Sequence, residues 1–156
     1  MKKKILLFAM LFPLLIFGKG GIIRSLDLYH IYNTNLRKSI NTFVIPFLID
    51  EKYLSSENVL CIYFDSDNSD NYVYVFVNGK RDVIWNDDII GYTNISGYTC
   101  ILSGNSYYKY VKKSIWNIPK IIVFNNIEVP HLDGIIEWLF RLEGKRMKFV
   151  RFISEW

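Results

Sequence analysis

The chain has 156 residues, enough for one domain that buries its own core without a metal or a disulfide, and 19 lysines and arginines stand against 15 acids. Four of those bases, Lys2, Lys3, Lys4 and Lys19, fall in residues 1–20, which hold no acid; taking four from 19 leaves 15 bases against 15 acids in residues 21–156. A net charge of zero over that stretch excludes the strong basic excess of a nucleic-acid-binding domain.

Residues 1–20 have the layout of a secretory signal peptide: the three lysines, an apolar run from Ile5 to Phe17, then Gly18-Lys19-Gly20. The run falls short of the roughly 20 residues that span a bilayer as a helix, and Pro13 interrupts it. No cysteine follows closely, so lipid-anchored export is not indicated. A cut after Gly20 puts small residues at both restrictive positions. The expected organisation is a signal peptide over residues 1–20 and a single exported domain over residues 21–156, periplasmic or extracellular, with no transmembrane span after cleavage. A membrane-attached protein that keeps its N-terminal segment is the alternative.

Leu36, Ile40, Phe43, Val44, Phe47 and Leu48 recur every three or four residues and predict a helix capped by Thr34. Pro46 ends or kinks it near Ile45; a strand over Thr42–Ile49 is the alternative. Val59–Phe64 and Tyr72–Val77 are rich in β-branched and aromatic residues and predict two strands joined by the polar loop Asp65–Asn71. Asn78-Gly79 marks a tight turn into Asp82–Trp85, and Ile89–Asn94 and Tyr98–Leu102 flank a second turn at Ile95-Ser96-Gly97. After a turn at Ser103–Ser106 come two more apolar runs, Tyr107–Val111 and Ile118–Phe124, the latter with Pro119 at its start. Asp133 caps a predicted helix over Gly134–Leu142, with Glu137 and Arg141 four apart and Gly144 beyond its end. Met147–Ile153 alternates and predicts a last strand. The expected fold class is α+β: an antiparallel sheet of about five to seven strands with one or two helices packed on one face.

Little in the chain has the spacing of a reactive site. Asp65 and Asp67 are weak metal candidates, because Asp65, Asp67 and Ser69 alternate oxygen-bearing side chains. Yet Asp70 stands where a helix-flanked calcium loop needs glycine, and Phe76 where it needs glutamate. The only histidines, His30 and His131, lack ligand spacing, so neither a metal nor a cofactor is predicted. Cys61 and Cys100 lie in apolar runs: either a disulfide joins them, as export permits, or they are two separate buried thiols. Lys145, Arg146, Lys148 and Arg151 offer a small basic stretch that could meet an anionic surface, a solvated face being the simpler explanation.

The expected function is therefore a small exported, non-catalytic binding domain whose partner is a protein or an envelope component. The exposed members of Tyr72, Tyr74, Trp85, Tyr92 and Tyr98 are the candidate contact surface, since aromatics give large contact area at low entropic cost. The alternative is an exported hydrolase-type enzyme whose site assembles only in three dimensions.

Overall fold

A computed structural model describes residues 21–50, 58–67, 70–79, 89–125 and 135–155. Two short strands come first, β1 (Gly21–Leu26) and β2 (Tyr29–Ile31), followed by one helical stretch. That stretch is α1 (Thr34–Ser39), a π turn (Ile40–Val44) and α2 (Ile45–Asp50). Then come β3 (Asn58–Asp67), β4 (Asp70–Gly79), β5 (Ile89–Ile95) and β6 (Tyr98–Gly104). A 3-10 turn (Tyr107–Lys109) leads to β7 (Val111–Lys113), β8 (Lys120–Asn125), β9 (Ile135–Glu143) and β10 (Arg146–Glu155).

Asn33, one residue earlier than expected, caps the helix: its side chain accepts from Leu36 N–H at 2.9 Å and its carbonyl from Arg37 N–H at 3.1 Å. Pro46 does not end the helix. It has no N–H to give, and the π turn just before it widens the ladder, with Ile45 N–H reaching back to the Ile40 carbonyl. The helix therefore runs on to Asp50, and Leu36, Ile40, Val44 and Leu48, four apart, bury one stripe. Phe43 and Phe47 lie on its flank, where Phe43 stacks on Phe149 and Phe47 meets Trp138 and Phe152 edge-on.

Six strands form one sheet in the order β10-β9-β4-β3-β6-β5, antiparallel except for the parallel pair β3–β6. Strand alternation gives it two apolar faces. Leu60, Ile62, Phe64, Val73, Val75, Cys100, Leu102, Trp138 and Phe140 meet the helix. Cys61, Ile101 and Tyr92 point the other way, beneath a ribbon of β1 paired with β8 that contributes Leu26 and Ile122. The fold is thus α+β as expected, with, among the described residues, one helical stretch and one parallel strand pair in an otherwise antiparallel six-stranded sheet.

The predicted helix over Gly134–Leu142 is corrected to strand β9, hydrogen-bonded on both sides, to β4 and β10. Ile136, Trp138, Leu139 and Phe140 are all buried, and Leu139, added to the alternating Ile136, Trp138 and Phe140, lets the run fit a helix template as well as an interior strand. Glu137 accordingly pairs across the sheet with Arg151 (3.1 Å), not along a helix with Arg141. Gly144, at φ +62°, opens the two-residue turn between β9 and β10 instead of closing a helix. The polar segment Asp65–Asn71 is mostly strand too: the β3–β4 ladder runs to Asp67↔Asp70. At its other end Asn78 and Gly79 remain in that ladder, opposite Val59 and Asn58, so the expected turn is not at those residues. Asp82–Trp85 and Asp133 lie outside the described residues. The Ser96-Gly97 turn holds as read, with φ +50° and +86° between Ile95 and Tyr98. Where a strand was expected over Tyr107–Val111, a 3-10 turn precedes the short β7.

Candidate functional site

The loop between β7 and β8 is built inside out. Ser114, only 7% exposed, turns inward: its N–H donates to the Leu28 carbonyl (2.8 Å) and its Oγ to the Trp116 carbonyl (3.2 Å). Asn117 uses both ends of its amide, donating Nδ2–H to Asp27 (2.6 Å) and accepting Leu28 N–H (2.9 Å) on Oδ1. Tyr92 donates its hydroxyl to the Ile118 carbonyl (2.7 Å) from beneath the ribbon. With these polar groups turned in, the apolar ones face water: Ile115 is 95% exposed, Trp116 84%, and Ile118 and Ile121 71% each. A plain connection would reverse that arrangement, since a contiguous exposed apolar patch on a monomer usually marks a contact site.

Lysines bracket the loop. Lys112 lies over the Tyr32 ring at 4.7 Å, Lys113 pairs with Asp27, and Lys120 donates to Thr99 Oγ1 (2.6 Å) beside the Tyr92 ring. The bond from Lys113, then the bond from Asn117, holds the Asp27 carboxyl below its ordinary value of 3.8. Lys113 is correspondingly raised, chiefly by its bond to Asp27.

A serine–histidine contact sits next to this loop, His30 Nε2 to Ser114 Oγ at 2.9 Å. It has the atoms of a nucleophile and its base but not their arrangement. Ser114 Oγ already has an acceptor in the Trp116 carbonyl, an assignment in which His30 Nε2–H is the donor to Ser114. Among the described residues no carboxylate orients the other ring nitrogen, whereas a working dyad needs its base held for proton abstraction. The contact pins the loop. On its other side His30 borders an open cleft of about 300 Å³ with Arg37, Asn41, Thr93, Asn94 and Ser96, rich in donors and without an acid.

The residues singled out in the sequence are scattered. Asp65 is half-buried opposite Tyr72 on β4, and Asp67 pairs with Asp70 in the ladder. Among the described residues no group of three or more His, Cys, Asp or Glu is placed to hold a metal. Cys61 and Cys100 are free thiols. They sit on adjacent strands, Leu60↔Cys100 and Cys61↔Ile101, and point to opposite faces of the sheet, so the disulfide alternative gives way to two separate buried thiols. Burial pushes both thiols far up, which makes them inert.

Tyr72 and Tyr74 do form a partly exposed aromatic row with Tyr63, at ring separations of 6.4 and 6.1 Å. Tyr98 is half-buried at the start of β6, Tyr92 is core at 5% exposure, and Trp85 lies outside the described residues. Two of the four bases of the stretch at β10 are paired: Lys148 approaches Glu143 at 3.8 Å, as does Arg141 from β9, and Arg151 meets Glu137. Sequence reasoning missed the loop itself. Its signal is Lys-Lys-Ser-Ile-Trp-Asn-Ile-Pro-Lys, apolar side chains set among turn-forming residues where a connection is normally polar.

No family model, no curated protein and no solved structure matches the chain. Among the described residues no helix is long and apolar enough to cross a membrane.

Proposed function

We propose that residues 21–156 are a small exported, non-catalytic binding domain that engages a component of the cell envelope through the β7–β8 loop. The carrying observation is the inverted loop: Ser114 and Asn117 hold its backbone to the domain while Ile115, Trp116 and Ile118 project into water. Holding those side chains in place before contact lowers the ordering cost of binding. Export rests on the basic, apolar and small-residue layout of residues 1–20.

The test is photo-crosslinking in intact cells, with a photoreactive amino acid at Trp116 and, as control, at the exposed helix position Lys38. A discrete envelope adduct, protein or lipid, is expected from position 116 and not from position 38. Equal labelling at both, or none at 116, rejects the loop as the contact surface.

A further inference from the structure

The loop's chemistry says more about its partner, and the step rests on the binding role just proposed for it. We propose that the loop docks on an anionic lipid surface, inserting Ile115, Trp116 and Ile118 at the level of the headgroups with Lys112 and Lys120 against lipid phosphates.

Four observations carry this. First, the apolar side chains protrude almost fully, at 95%, 84% and 71% exposure. A protein partner would need a groove shaped to receive them, whereas a fluid lipid surface needs none. Second, the projecting aromatic is a tryptophan, which favours the membrane–water boundary, and the two isoleucines beside it favour the acyl region.

Third, the segment Lys112–Ile121 carries three lysines and no acid, and the acid beside it, Asp27, is occupied by Lys113 and Asn117. Lys112 and Lys120 at the two ends complement a negative headgroup layer. In the basic stretch at β10, by contrast, Lys148 and Arg151 are paired with Glu143 and Glu137, and no comparable exposed tryptophan accompanies it among the described residues. Fourth, part of the cost of taking the loop out of water is already met by bonds within the protein. Leaving a backbone group without a partner is the main penalty for irregular chain entering lipid. Here Ser114 N–H, the Trp116 carbonyl and the Ile118 carbonyl are bonded to the protein, and Pro119 has no N–H.

The test places an environment-sensitive fluorophore on the loop through Ile115→Cys. The native thiols Cys61 and Cys100 are buried, so the label goes to the loop alone. Protein from the exported fraction is mixed with vesicles of phosphatidylcholine, with or without phosphatidylglycerol. The label should brighten and shift to the blue only with the anionic vesicles, and added salt should reverse the change. Lys112→Glu and Lys120→Glu, each checked for native folding by circular dichroism, should weaken vesicle binding about fivefold or more apiece.

A label that does not respond, or that responds equally to neutral vesicles, overturns the lipid assignment. If the label is silent while position 116 crosslinks to an envelope protein in cells, the loop remains a binding surface and only the lipid partner is rejected. Silence in both experiments rejects both readings.

Discussion

Replacing Tyr110 by phenylalanine should stabilise this protein. Tyr110 is wholly buried, its ring stacked on Phe64 at 5.1 Å, and its hydroxyl has no hydrogen-bond partner among the described residues. An unpaired buried hydroxyl costs about 1–3 kcal/mol by comparison with mutational series. Tyr110→Phe removes that oxygen, keeps the stack and leaves a void of about one atom, so the net gain should be about 1 kcal/mol. For a domain of this length that raises Tm by about 3–5 °C.

The same burial pushes the Tyr110 hydroxyl from its ordinary 10.0 up to about 12. The unfolded chain then loses the proton before the native protein does. Native stability is therefore intact below pH 10 and falls as the pH rises from there through about 12, and Tyr110→Phe should flatten that decline. Urea unfolding at neutral pH and again above pH 10 measures both effects. A variant less stable than the parent by more than about 0.5 kcal/mol would show that the hydroxyl does have a partner, and would refute the reasoning.

Gly104→Ala should be severe: at φ +102° an added Cβ would lie 2.1 Å from the Phe64 carbonyl oxygen, so the parallel β3–β6 pair must part, with a loss of about 3 kcal/mol or more in urea unfolding. Neither thiol should react with Ellman's reagent in the native protein and both should react in denaturant; one fast native thiol would contradict the burial of Cys61 and Cys100. Asn117→Ala should release the loop, speeding amide exchange at Leu28 and moving the Asp27 carboxyl back up toward 3.8, both readable by NMR; an unchanged Asp27 titration would mean that Lys113 alone sets it.

Local chemistry settles those features whose cause lies within a few residues. The Ser96-Gly97 turn follows from two residues that tolerate positive φ, and β5 and β6 follow from the runs on either side. The helix from Thr34 follows from four-residue spacing of Leu36, Ile40, Val44 and Leu48, and β10 from alternation over Met147–Ile153. Even Pro46, a local stop signal, was overridden by a π turn immediately before it, because the stripe beyond still had a sheet face to bury against.

The β9 segment and the binding loop belong to the tertiary structure. Ile135–Glu143 is apolar enough for either period, and the open hydrogen-bonding edges of β4 and β10 made it a strand. The two cysteines are compatible with a bond by count and compartment; a one-residue offset across the β3–β6 register put their side chains on opposite faces. Ile115 and Trp116 are of residue types that are highly buried on average. Their exposure was decided by partners about 90 residues away in sequence, Asp27 and Leu28, whose claim on Ser114 and Asn117 turned the polar side of the loop inward and left the apolar side facing out.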